Sequence, residues 1–371
     1  MKIIHIIPSL NAGGAELALT RLIQHDCKNN YHIVVCLSWS GNQHTLLKNN
    51  NVFVYRLNDG GSFKIISLIK LYSFLIKEKP DVLQTWMYHS DLIGGVVGRI
   101  AGIKKIIWGI RGPLYKELTS KRTFFIAWLC AKFSNFIPNI IICNSKFALE
   151  SHINFGYEPK KMTVVYNGFQ LTEEPSCKNI IVVNNEEKIN EIIIGTVGRF
   201  DPHKNHLGLI DALSIVKTAY QTFKFYFIGK DLDSNNKVLI DAIKDRNLES
   251  NVCLVGLVED PDMYYKKLDL FVLSSIAESF PNVIAEAMKY GVPCVSTDVG
   301  DVRHIIQDSG WIVSSNNQEK LAESILLAIN DFNNSSEWFH RQQKAFQIIK
   351  NNFDINLMAK NYNEIWQDDK F

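Results

Sequence analysis

Short β-branched runs alternate with longer amphipathic segments along most of the chain. Residues 3–7, 33–37, 52–57, 82–85, 105–108 and 140–143 read as strands. Segments 15–27, 63–77 and 90–100 carry apolar residues at helical spacing between them. That alternation predicts an α/β domain whose parallel sheet is covered on both faces. Around residues 171–190 the pattern stops, and the polar, irregular stretch reads as an interdomain linker. Strands resume at 192–197, 223–228, 252–255, 270–273 and 294–296, and segments 317–330 and 335–371 read as helical. The expected organisation is a Rossmann-like domain over 1–170, a linker over 171–190 and a second Rossmann-like domain over 191–352. A helix over 353–371 is expected to pack back on the first domain. Doubly wound sheets bind ligands beyond the carboxyl ends of their strands, so two of them are expected to face a central cleft.

Candidate chemistry falls where that rule puts it. Gly198-Arg199-Phe200-Asp201-Pro202-His203-Lys204-Asn205 follows the strand at 192–197. Its glycine permits close backbone approach, and Arg199 and Lys204 offer a planar fork and a point charge that together suit a diphosphate. The second motif, Glu278-Ser279-Phe280-Pro281-Asn282-Val283-Ile284-Ala285-Glu286, follows the strand at 270–273. Pro281 is placed as the first residue of a helix, which leaves the amides of 280–283 and the helix dipole for an anion. Glu286 lies one turn in, on the face of Asn282, among apolar neighbours. It suits ribose hydroxyls, and Glu278 suits sugar hydroxyls.

Composition narrows the classes. The 371 residues carry a formal net charge of +2, which disfavours a nucleic-acid partner. Seven scattered cysteines, none in a C-x-x-C pair, argue for a reducing compartment and against a disulfide framework or zinc site. No stretch approaches the apolar length of a membrane span, and the N-terminus reads as a strand, so a cytoplasmic location is expected. The pairs Asp231/Asp233 and Asp260/Asp262 are rejected as metal ligands because Arg199 and Lys204 supply the charge a metal would bring. His203-x-x-His206 lacks a third ligand. No metal and no cofactor are expected.

The spacing of Glu278 and Glu286, with Arg199 and Lys204 upstream, resembles retaining glycosyltransferase family 4, of GT-B fold. Gly13-Gly14-Ala15-Glu16, Val165-Tyr166-Asn167-Gly168, Leu254-Val255-Gly256 and Thr297-Asp298-Val299-Gly300 extend the resemblance over nearly the whole chain. The chain looks like the enzymes of bacterial surface polysaccharide and O-antigen synthesis. The resemblance implies a nucleotide-diphosphate sugar donor, a UDP-sugar for preference, transferred with retention through a front-face route. Arg199 and Lys204 would bind the diphosphate, Glu286 the ribose and Glu278 the moving sugar. Ser279, Phe280, Pro281 and Asn282 would touch sugar or phosphate, Gly256 and Leu257 would lie beside the base, and Gly13 and Gly14 would approach the phosphates. Arg199, Lys204, Glu278 and His89 form the catalytic set. Ser279 stands where glycine is frequent, and Gly300-Asp301 stands where a second glycine is common.

The N-terminal half is expected to hold a lipid-linked glycan acceptor. His89, after the strand at 82–85, would contact the donor sugar or orient the acceptor, or else merely cap its helix. Arg111, after the next strand, would bind an acceptor diphosphate, or else be a surface arginine. Residues 99–132 carry eight basic side chains against the single acid Glu117, interleaved with Trp108, Tyr115, Phe124, Phe125 and Trp128. That mixture suits peripheral contact with an anionic membrane, or a solvated helix with ordinary surface cations. Two other functions fit the same fold: a nucleotide-sugar epimerase, which needs no acceptor, and a non-catalytic nucleotide-sugar binder.

Overall fold

The computed structural model describes residues 1–11, 13–38, 47, 52–58, 65–115, 119–171 and 191–368. The expected linker beyond residue 171, the first residues of the helix placed at 63, and Lys116 and Glu117 lie outside the described residues. Two compact units divide the chain: Met1–Gly168 with Asp354–Phe371, and Phe169–Phe353.

The first unit is built on a seven-stranded sheet of order β3-β2-β1-β4-β5-β6-β7. Its strands are β1 (Lys2–Ile7), β2 (Tyr31–Cys36), β3 (Phe53–Arg56), β4 (Val82–Thr85), β5 (Lys105–Ile110), β6 (Ile140–Cys143) and β7 (Met162–Val164). All pairings are parallel, with Ile3 opposite Val82 and Ile107 opposite Ile140. A parallel sheet is covered on both faces, so its strands are mostly apolar, with His5, Gln84 and Lys105 buried among them. Ile3, Ile4, Ile6 and Ile7 are accordingly wholly buried. On one face pack the helices Gly14–Asp26 and Ile355–Gln367, the latter through Met358, Tyr362 and Trp366. On the other lie the helices Ile65–Glu78, Tyr88–Ile100 and Lys121–Phe133. Lys105, buried at the start of β5, donates to the Trp366 carbonyl at 2.9 Å and the Asp368 carbonyl at 2.5 Å. A cation thus closes the C-terminal end of the last helix.

The second unit has a six-stranded parallel sheet of order β10-β9-β8-β11-β12-β13. Its strands are β8 (Ile192–Val197), β9 (Phe223–Ile228), β10 (Val252–Gly256), β11 (Leu270–Leu273), β12 (Cys294–Thr297) and β13 (Trp311–Val313). Helices His206–Ala219 and Gln318–Phe332 fill its core through Leu209, Leu213, Ile325 and Ile329. The strands β7 and β13 were not expected. Each is three residues long, too short to carry a period. In both sheets the strand order reverses beside a neighbouring pair, β1 with β4 and β8 with β11. The loops leaving those strands are where ligands of such sheets bind.

Candidate active site

Strands β8 and β11 are hydrogen-bonded neighbours, so the loops that follow them leave the sheet together. The β8 loop tightens into a 3-10 turn at Pro202–Lys204, opened by Asp201, whose carboxylate accepts from the His203 amide at 2.9 Å. Two cross-links tie it to the β11 loop. Ser274 Oγ donates to the Lys204 carbonyl at 2.7 Å, and the Ile276 amide donates to the His203 carbonyl at 2.8 Å. Lys204 is thereby set against Glu278: its Nζ donates to Glu278 Oε1 at 2.5 Å, and Ser275 Oγ donates to the same oxygen at 2.9 Å. Both side chains keep a face to solvent, at 23% and 16% exposure. Arg199 stands more open at 68% and its Nε donates to Asp201 at 2.9 Å.

Pro281 has φ −72° and precedes the helix Asn282–Met288. The expected helix start therefore moves on by one residue, because the ψ of Pro281 is extended at 92°. Glu286 is 7% exposed and accepts from the Tyr265 hydroxyl at 3.1 Å, so it is no solvated helix residue. Asn282 lies one turn before it on the same face. Ser279 is buried, and its carbonyl accepts from the Asp301 amide at 2.9 Å. Gly300 has φ +55°, and a Cβ there would strike the Glu278 and Ser279 carbonyls. The ring of Phe280 is buried between Phe169 and Phe353. Gly256 ends β10 at φ +78°, and Leu257 beside it is 75% exposed. Behind Gly198 a second glycine packs against its backbone. Gly229 has φ +136°, and a Cβ on it would overlap the Gly198 carbonyl.

In the first unit, Gly13 is the residue before the helix Gly14–Asp26 and Gly14 begins it. A Cβ on Gly13 would collide with the carboxylate of Glu16, which lies buried at that helix start with its pKa raised by burial. Beyond β4, Met87 holds φ +69° and ψ 154° while its amide donates to the Gly109 carbonyl at 2.8 Å. Strain of this kind costs about 1–3 kcal/mol and gathers at functional sites. Met87, not His89, precedes the helix Tyr88–Ile100, so His89 does not cap it. His89 is half-buried, and burial lowers its pKa. Its ring makes no hydrogen bond with the described residues.

Arg111 is not a surface arginine. Its guanidinium lies 5.0 Å from the centre of the Trp86 ring. It donates to Asn167 Oδ1 through Nη2 and to the Tyr362 hydroxyl at 3.5 Å through Nη1, while Nε is buried without a hydrogen-bond partner among the described residues. Other cations of the 99–132 segment are also turned inward. Arg99 donates to the Ile137 carbonyl and to Asn139, both at 2.7 Å, and Lys105 caps the last helix. Trp108 is wholly buried. Lys104, Lys121, Arg122 and Lys132 are exposed. The acidic pairs make local turns: Asp233 accepts from the Asn235 amide at 2.8 Å and Asp260 from the Asp262 amide at 2.9 Å.

Two family models match consecutive stretches of the chain. Glycosyltransferase Family 4 matches residues 12–173, and Glycosyl transferases group 1 matches residues 178–345. The chain belongs to glycosyltransferase family 4. It is 26% identical over 274 residues to the Escherichia coli UDP-Gal:alpha-D-GlcNAc-diphosphoundecaprenol alpha-1,3-galactosyltransferase, covering 71% of this chain and 70% of that one. The capsular polysaccharide glycosyltransferase CapH of Staphylococcus aureus is 23% identical over 99% of this chain and 98% of its own. The crystal structure of Anabaena HepE in complex with UDP superposes with a TM-score of 0.84 at 22% identity, covering 98% and 99% of the two chains. The fold is GT-B, and the protein is a glycosyltransferase.

Several residues of this family-4 enzyme escaped the sequence reading. Ser275 holds Glu278, Tyr265 holds Glu286, and Trp86 and Tyr362 hold Arg111. Ser275 lies three residues before Glu278 in the motif loop, so proximity was a usable signal. Tyr362 lies 251 residues from Arg111 and gave none.

Proposed function

We propose that this family-4 glycosyltransferase moves a sugar, with retention at the anomeric carbon, from a UDP-sugar to a polyprenyl-diphosphate-linked glycan in surface polysaccharide or O-antigen assembly. The observation that carries the reading is the Lys204–Glu278 pair, held at 2.5 Å where β8 and β11 release their loops. An ammonium and a carboxylate in one loop cluster match the two halves of a nucleotide-diphosphate sugar. Without donor they neutralise each other. With donor bound, Lys204 turns to diphosphate oxygens and Glu278 accepts from sugar hydroxyls. Arg199 turns its exposed guanidinium to the same oxygens, and Glu286 receives the ribose. Amides around Phe280 and Pro281 meet sugar or phosphate, and the Gly256-Leu257 turn lies beside the base. The E. coli relative is named for a UDP-Gal donor and a diphosphoundecaprenol acceptor, and HepE was solved with UDP.

In the step itself, the bond from the anomeric carbon to the diphosphate oxygen breaks and a bond to the acceptor oxygen forms on the same face. The acceptor's proton passes to the departing phosphate. Charge accumulates on that phosphate, and in this reading Lys204 and Arg199 stabilise it with no metal taking part. In the first unit, the buried Nε of Arg111, without a hydrogen-bond partner among the described residues, faces a need for an anion, which an acceptor diphosphate meets. His89, neutral because of its burial, orients acceptor or donor sugar. The enzyme works at the inner face of the cytoplasmic membrane. No helix among the described residues is long and apolar enough to cross a membrane, and the contact we propose is peripheral.

Lys204→Ala is expected to lower transfer about 100- to 1,000-fold, the size seen when one preorganised charge-stabilising donor is removed. Transfer equal to wild type would remove the donor site. A chelator is expected to leave the rate unchanged. Incubation with UDP-sugar alone is expected to leave the sugar's configuration intact, and epimerised donor would favour an isomerase.

A further inference from the structure

Three consecutive helices of the first unit, Ile65–Glu78, Tyr88–Ile100 and Lys121–Phe133, pack side by side over one face of its sheet. Helices in that position normally turn polar residues outward. These do not. On the first helix Ile65, Ile69, Tyr72 and Ile76 recur at i, i+4, i+7 and i+11, exposed at 79%, 56%, 39% and 42%. On the second, Val96 and Ile100 are exposed on successive turns. Between the two helices runs an open groove of about 430 Å³ whose lining residues, including Leu68, Ile69, Leu92 and Ile93, are apolar apart from the Tyr72 hydroxyl. On the third helix the exposed stripe reads Lys121, Phe125, Trp128, Lys132. Phe125 and Trp128 stack at 5.8 Å, and Lys132 lies 5.9 Å from the Trp128 ring. Phe136, just beyond, is 73% exposed.

The charge on this face has one sign. Lys70, Lys77, Lys121, Arg122 and Lys132 are exposed. The three helices carry two acids: Asp91 is buried, and Glu78 accepts from Lys2 Nζ at 3.2 Å. Apolar and aromatic side chains flanked by cations, with no uncompensated carboxylate, fit a surface that is apolar below and anionic above. Lysines at the edges can extend their heads to phosphate while their stems lie on the rings. We propose that this three-helix face is a docking surface for an anionic lipid bilayer, with the groove between the first two helices receiving acyl chains. The surface therefore runs from the helix Ile65–Glu78 across Tyr88–Ile100 to Lys121–Phe133, so the basic segment 99–132 supplies only part of it. It rests on the proposed function only in that a lipid-linked acceptor places the enzyme at a bilayer.

The test is co-sedimentation with vesicles of phosphatidylglycerol and phosphatidylethanolamine, with neither donor nor acceptor present, so that its failure leaves the transfer reaction standing. Two variants are compared with wild type: Ile69→Asp with Ile100→Asp, and Lys121→Glu with Lys132→Glu. All four positions are exposed, and unchanged thermal unfolding confirms the fold. Wild type is expected to bind these vesicles and to lose most binding on phosphatidylcholine or at about 0.5 M salt. The lysine variant is expected to bind at least tenfold more weakly, given about fivefold for each cation removed. The aspartate variant is expected to bind at least tenfold more weakly because it puts carboxylates where apolar side chains would enter the bilayer. Binding by both variants at the wild-type level would overturn the proposal, as would a wild type that ignores anionic vesicles. Sedimentation velocity adds a third outcome. A wild-type dimer that the aspartate variant dissociates would mean that a second copy covers the face, and the proposal falls.

Discussion

Glu286 sits in the apolar stretch Val283 to Met288, and a carboxylate there needs donors to offset its desolvation. Tyr265 supplies one, so Tyr265→Phe is expected to weaken UDP binding several-fold by loosening Glu286, while Glu286→Ala abolishes measurable binding. Isothermal titration with UDP separates the two, and equal affinities would contradict the role of Glu286. Gly229 makes a different demand. Its φ of +136° and the Gly198 carbonyl against it leave no room for a side chain, so Gly229→Ala is expected to cost about 2–4 kcal/mol. A urea midpoint within error of wild type would refute that. Asp91 makes stability depend on pH. Burial pushes its pKa up to about 8, and its Oδ1 lies 2.5 Å from Thr85 Oγ1 and 3.2 Å from the Gly109 amide. Thr85 has one hydroxyl hydrogen and also reaches the Ile107 carbonyl at 3.2 Å. Protonated Asp91 resolves the conflict by donating to Thr85, which then donates to Ile107. An acid whose folded pKa is raised stabilises fully below its unfolded value of about 3.9, and that contribution is lost as pH rises through the folded value. The urea midpoint is therefore expected to fall between pH 5 and 8.5, and Asp91→Asn to flatten the slope. An unchanged slope in the variant would contradict the account.

At the scale of elements, long apolar strands were legible because their period and burial agree. The start and end of β1, β8 and β9 are read within a residue of their observed bounds. Elements decided by tertiary partners were not. β7 and β13 exist because a neighbouring strand pairs with them, as Met162 does with Ile141 and Trp311 with Val295. The helix Asn282–Met288 starts one residue late because Pro281 adopts an extended ψ, which φ-locked proline permits as readily as the helical one. The helix Ile355–Gln367 is the element on which most depends locally. Trp366 and Tyr362 are buried in the first unit's core, and Tyr362 also reaches Arg111. Trp366→Ala is expected to destabilise that unit by about 3–5 kcal/mol, read as an earlier urea transition, while Tyr362→Phe is expected to raise the acceptor KM with little change in stability.

On the whole molecule, the α/β plan of two units and the loops that carry Lys204 and Glu278 were readable because each loop follows one strand. Lys204 and Glu278 carry their own signal in that way. The site's supports do not: Arg111 is held by Trp86, Asn167 and Tyr362, which only the folded sheet and the last helix bring together. The basic segment 99–132 reads as one charged surface in the sequence, yet Arg99, Lys105 and Arg111 find partners at Asn139, Trp366 and Asn167 and leave that surface. A linear count of cations cannot register partners so far along the chain. The most direct test of the account is transfer of labelled sugar from a panel of UDP-sugars to a short-chain polyprenyl-diphosphate glycan, run with wild type and Lys204→Ala in parallel. The account predicts labelled lipid product from one UDP-sugar, of retained configuration, and at least a hundredfold less from the variant. Product of inverted configuration, or equal product from both proteins, would contradict it.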